Sequence, residues 1–101
     1  MKQKEREKVK NFCEYVEEIK KKQGITSNYG VAKQLLIDPR KIGLIIEGKR
    51  HPPPIAAYRI ADILELDPTE VRACLDYEMT KDEQAREYIK SVFFRRARNV
   101  A

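Results

Sequence analysis

The chain repeatedly stops and restarts helices, and that punctuation constrains its fold more than any other feature. Val9, Phe12, Cys13, Val16 and Ile19 form one stripe of apolar residues three and four apart, the spacing that lines one face of a helix. It predicts a helix from about residue 4 to 22. Lys20, Lys21 and Lys22 fall at its carbonyl end, where cations suit the dipole, and Gly24 stops it. A second helix starts with Thr26 or Ser27 as cap, turns Ala32, Leu35 and Leu36 inward, and ends near Ile37.

Asp38 then caps a third helix with Pro39 at its first position, where the missing N–H costs nothing. Ile42, Ile45 and Ile46 form its inner stripe and Gly48 its stop. The run from Lys49 to Pro54 carries three consecutive prolines and reads as an extended loop. A fourth helix carries Ala57, Tyr58, Ile60, Ala61, Ile63 and Leu64. Asp67-Pro68-Thr69-Glu70 is a second cap-plus-proline start, with Glu70 placed to complete a capping box. The fifth helix buries Val71, Cys74, Leu75 and Tyr77. A sixth, opened by Thr80 or Asp82, sets Ala85, Tyr88, Ile89, Val92 and Phe93 on one face. No strand pattern competes, and no internal repeat or domain-separating linker is visible.

With 101 residues and 42% hydrophobic content, this is one small all-α domain. Several function classes fall away. No apolar run approaches the roughly 18 residues of a membrane span, and the Lys- and Glu-rich start lacks a signal peptide's apolar segment. A cytoplasmic chain is therefore expected. Cys13 and Cys74 lie far apart and His51 is the lone histidine, which fits no zinc spacing. Both cysteines sit on apolar faces, so buried reduced thiols are expected. Neighbouring Glu17 and Glu18 diverge on a helix as a solvated face, and there is no Gly-rich phosphate loop or nucleophile elbow. No enzyme, cofactor, metal or small-molecule ligand is expected.

Charge is segregated along the chain. Residues 25–54 hold five basic and two acidic side chains, whereas residues 55–79 hold two and six. The flanking segments are each net positive and the whole chain carries +5. An anionic partner fits the basic segments.

The most specific feature is a pair of short helices joined by a tight turn, residues 27–48. Ala32, the Ile42 and Ile45 pair, Gly48-Lys49-Arg50, Pro52 and the later Ile60-Ala61-Asp62-Ile63-Leu64 carry the pattern, with Asp67 opening the next helix. Over roughly residues 8 to 78 this resembles the helix-turn-helix of the lambda-repressor/Cro-like (xenobiotic response element) family. The length and extra C-terminal helix resemble small phage and prophage repressors, including those of filamentous phages. The resemblance implies a five-helix DNA-binding domain over residues 1–78, with residues 79–101 forming an added amphipathic helix. It implies a homodimeric, sequence-specific regulator of transcription on double-stranded DNA, associated with the nucleoid.

Placed on the motif, Asn28 stands where the family usually has a phosphate-binding Gln. Lys33, Lys49 and Arg50 are further phosphate contacts. Arg40, Lys41, Gly43, Leu44 and Glu47 point away from the Ile stripe toward the groove. Arg40 has the donors to pair with guanine O6 and N7. The sequence departs from the family where Pro39, Gly43 and Leu44 replace polar readers and Ile46 replaces a common Glu. Sparse base readout with a larger share from DNA shape is one consequence. A protein-interaction module, such as an antitoxin or accessory factor, is the alternative. At the C-terminal end, Val92, Phe93 and Phe94 adjoin Arg95, Arg96 and Arg98. Tyr88, Val92, Phe93 and Phe94 either form a dimer surface or close the monomer's core.

Overall fold

A computed structural model describes residues 8–99, with side chains described through residue 96. The described residues form six helices: α1 Phe12–Gln23, α2 Asn28–Leu35, α3 Ile42–Ile46, α4 Pro54–Leu64, α5 Pro68–Met79 and α6 Glu83–Asn99. No described residue is in a strand, and no described helix is long and apolar enough to cross a membrane.

The first helix starts later than its stripe suggests. Asn11 is extended (φ −96°, ψ 173°) and its side chain accepts from the Glu14 N–H, while Glu14 accepts from the Asn11 N–H. This reciprocal capping box fixes the start at Phe12. Lys8 to Lys10 are therefore outside the helix, and the expected start at residue 4 lies outside the described residues.

Four helices end alike. Gly24, Leu36, Gly48 and Glu65 take the left-handed conformation, with φ of 69°, 60°, 76° and 59°. The next residue, Ile25, Ile37, Lys49 or Leu66, donates its N–H back to Lys20, Ala32, Leu44 or Ala61. These are Schellman closures, and in all but the third an apolar residue folds back on the core just past the turn. Two of the four use glycine. Thus α2 stops at Leu35, two residues before the expected Ile37.

The two Asp-Pro starts diverge. Asp67 accepts from the Thr69 N–H through its side chain and from the Val71 N–H through its carbonyl, so α5 begins at once. Asp38 accepts from the Arg40 N–H through its side chain but from the Lys41 N–H through its carbonyl. That three-residue closure is a β-turn, not a helical turn. The third helix therefore starts at Ile42 rather than Pro39. It is five residues long, about 7.5 Å. Lys41, at φ −103° and ψ −13°, is the hinge between turn and helix.

Pro54 is the first residue of α4, extending the helix back into the proline run. Thr80 ends α5 by bonding back to the Asp76 carbonyl. Asp82 opens α6 by accepting from the Ala85 N–H.

One core joins all six helices. It contains Phe12, Tyr15, Val16, Ile19, Val31, Ala32, Leu35, Ile42, Ile45, Ile60, Val71, Cys74 and Phe93, among others. Tyr15 was not on the expected stripe, although Phe12, Tyr15, Val16 and Ile19 are spaced correctly for it; Cys13 is only half-buried. Burial pushes the Tyr15 hydroxyl and the Cys74 thiol up from their ordinary pKa values. Both cysteines are free, but only Cys74 is buried. The most extensive packing is α6 against α5, followed by α5 against α4. Arg86 stacks 4.1 Å from the Tyr77 ring and Arg96 lies 3.9 Å from Asp67, pinning α6 at two points along α5.

Candidate functional site

The unit formed by α2, the Asp38 turn and α3 is held from below by its apolar residues. Val31, Ala32 and Leu35 of α2 and Ile42 and Ile45 of α3 are all buried, so their opposite faces are directed outward. Ser27 caps α2 by accepting from the Gly30 N–H at 3.0 Å, leaving the Asn28 side chain exposed in the first turn. Gly30 is tight against this start: a Cβ there would lie 2.7 Å from the Ile25 side chain.

The outward faces carry the cations. Lys33, Arg40, Lys41, Lys49 and Arg50 are all exposed. Lys41, Arg50 and His51 line one groove of about 480 Å³ together with Leu36, Asp38 and Pro52. Lys33 stands on the turn of α2 that leads to this groove, 5.7 Å over the Tyr29 ring.

Two anions temper this cluster. Glu47 lies 3.3 Å from Lys49, with both side chains more than half exposed. Such surface pairs contribute little and are readily exchanged for another anion. Asp38 holds Arg40 more completely: Nε donates to Oδ1 at 3.2 Å and Nη2 to Oδ2 at 3.0 Å. This fork, followed by the Arg40 backbone N–H, holds the Asp38 carboxyl at about 2, below its ordinary 3.8.

The remaining residues expected to face the groove are placed as follows. Gly43 is exposed, and a Cβ there would meet nothing within 4 Å. Leu44 is 43% exposed, while Ile46 is half-buried against the core. Gly48 has φ 76°, which lets the chain reverse after α3 and bring Lys49 and Arg50 back beside it. Because α3 starts only at Ile42, Arg40 and Lys41 project from the turn before the helix rather than from the helix itself.

The expected dimer residues separate. Phe93 is 1% exposed and belongs to the monomer's own core. Val92 and Phe94 are half-buried beside it, Phe94 meeting the Phe93 ring edge-on at 5.2 Å. Tyr88, at 68% exposure, faces outward. The Arg98 side chain lies outside the described residues.

Asp38, expected as a helix cap, holds Arg40 as well. Its signal was available in Asp38-Pro39-Arg40, where a proline-fixed turn brings side chains two apart onto one side. Leu36, expected to turn inward with Ala32 and Leu35, is instead 62% exposed, because it takes the left-handed conformation that ends α2 and points to the groove's edge. Among the described residues no three His, Cys, Asp or Glu side chains are grouped to hold a metal ion. Comparison with protein-family models, curated proteins and solved structures gives no match to this chain.

Proposed function

We propose that this chain is a sequence-specific double-stranded DNA-binding regulator of transcription with a lambda-repressor/Cro-like helix-turn-helix. In this reading it acts as a homodimeric phage or prophage repressor on the nucleoid. The observation that carries it is the set of exposed cations Lys33, Lys41, Lys49 and Arg50 around the α2–turn–α3 unit, with Arg40 held beside them by Asp38. Residues 55–79, which span α4 and α5, instead hold six acidic and two basic side chains. A polyanion with regularly spaced phosphates matches such a cluster.

Asn28 and Lys33 on α2 and Lys49 and Arg50 after α3 contact phosphates and set register. The Asp38 turn and α3, with Arg40, Lys41, Gly43, Leu44 and Glu47, enter the major groove. With one helical turn available, few bases are read directly, and the rest of the preference comes from DNA shape. Tyr88 supplies the exposed aromatic contact between copies.

Selection from a random duplex library is the test. Enrichment of a two-fold-symmetric site is expected, its half-sites about one helical turn apart. No retention at low salt would reject the reading. A protein-interaction module is the second reading. Leu36 at 62%, Tyr58 at 61%, Leu44 at 43% and Ile55 at 41% exposure favour it, because exposed apolar side chains in quantity mark contact surfaces. Salt-insensitive capture of one protein partner would move it to first place.

A further inference from the structure

The fork between Asp38 and Arg40 divides the guanidinium into two edges. A guanidinium offers two pairs of parallel donors, one from Nε and an Nη, the other from the two terminal nitrogens. Asp38 occupies the first pair, with Nε to Oδ1 at 3.2 Å and Nη2 to Oδ2 at 3.0 Å. The terminal edge, with both Nη1 protons and the second Nη2 proton, stays free. The Arg40 side chain is 89% exposed and that of Asp38 only 29%, so the carboxylate is the anchored partner.

The backbone beneath the fork is also fixed. The Lys41 N–H closes the turn onto the Asp38 carbonyl at 2.8 Å, and the Arg40 N–H bonds Asp38 Oδ1 at 3.0 Å. Pro39 lies between them with its φ locked by the ring. A long, flexible side chain is thereby held in one orientation at the leading edge of the α2–turn–α3 unit.

We propose that Asp38 is a positioning residue that presents the terminal edge of Arg40 to one guanine of the DNA site. This rests on the DNA-binding reading above. Guanine offers two adjacent acceptors, O6 and N7, in the major groove, matching two parallel N–H donors. Adenine places a donor where O6 stands, and cytosine presents a donor only, so the held edge rejects both. Because Asp38 cancels the charge of Arg40, the pair supplies base preference rather than general affinity.

The fork therefore separates preference from affinity, and the test uses that separation. Duplex selection on the full chain is compared for wild type, Arg40→Ala and Asp38→Asn, with helicity and thermal unfolding measured on each. Asn keeps an oxygen for the Arg40 N–H, and so keeps the turn, but loses the charged fork. Arg40→Ala is expected to lose about ten-fold or more of the guanine preference at a single base pair, the scale of one bidentate contact. Asp38→Asn is expected to lose about three-fold or more at that same pair. Its affinity for random duplex should hold or rise, since a negative charge near phosphates is removed.

A guanine preference unchanged in Asp38→Asn would overturn the positioning role while leaving DNA binding intact. So would a uniform loss of affinity without a change in preference, or an Arg40-dependent preference for another base. Wild-type protein that retains no duplex would overturn both this proposal and the reading beneath it.

Discussion

The backbone N–H of Phe12 donates to Glu78 Oε1 at 2.9 Å, across 66 residues of sequence. Asn11 caps the same helix start through the Glu14 N–H, so α1 has one local cap and one distant one. The other Glu78 oxygen lies 3.7 Å from where a Cβ on Gly48 would be. One carboxylate of α5 thus sits between the start of α1 and the reversal that follows α3.

Glu78 should matter more to stability than a typical surface glutamate. Glu78→Ala leaves a part-buried N–H without its acceptor and removes a negative charge from a helix N-terminus. A loss of about 1–2 kcal/mol is expected in denaturant unfolding. Glu78→Gln keeps an acceptor oxygen and should lose less. Equal stability of all three proteins would show that Asn11 alone holds the start of α1.

Phe93 and Tyr88 should behave oppositely, although both were expected on one face of α6. Phe93→Ala opens a cavity in a packed core and should cost about 3–5 kcal/mol. Tyr88→Ala, at a side chain 68% exposed, should change monomer stability by no more than about 0.5 kcal/mol. Its effect belongs to self-association, read by sedimentation equilibrium. A Phe93→Ala defect that vanished on dilution would assign Phe93 to an interface between copies instead.

The Asp38 carboxyl should titrate near pH 2, followed by carbon NMR. A pKa lowered on folding gives stability that is present above the ordinary value of 3.8 and lost as pH falls toward 2. Arg40→Ala removes the fork and should return the midpoint toward 3.8. A midpoint unmoved by that change would show that the backbone N–H, rather than the guanidinium, holds the charge.

Lys49 and Arg50 should act on DNA affinity without acting on base preference. Each phosphate contact contributes about 0.9 to the slope of log affinity against log salt. Lys49→Ala and Arg50→Ala should each lower that slope by nearly one while leaving the selected sequence unchanged. An altered consensus in either variant would place that residue on a base edge.

Helix content was legible because it depends on local spacing. The stripes of α1, α4 and α5 appear in sequence as residues three and four apart, and most of their apolar residues are buried, with Tyr58 of α4 turned outward instead. Ser27, Asp67 and Asp82 cap as expected because a short polar side chain bonds N–H groups within three residues of itself. The exposure of Arg40, Lys41, Lys49 and Arg50 was equally legible, since charge on a short loop has nowhere to be buried.

Asp38-Pro39 and Asp67-Pro68 mark the limit of that reading. The two dipeptides are the same, yet one starts a helix at once and the other closes a β-turn and delays it. The Asp38 turn is accompanied by the Arg40 fork, which α5 lacks. Leu36 and Glu65 make the same point about helix ends. Neither residue favours a left-handed backbone, but burial of Ile37 and partial burial of Leu66 just beyond them reward the reversal.

The sequence by itself determined the helical character of the described residues, the order of the helices and the basic character of residues 25–54, all of which follow from contacts a few residues long. Only the tertiary structure decided that α3 is a single turn, that Phe93 closes the monomer's core and that Glu78 caps α1. Those outcomes depend on which surfaces remain after distant helices have packed, and no window of neighbouring residues contains that information.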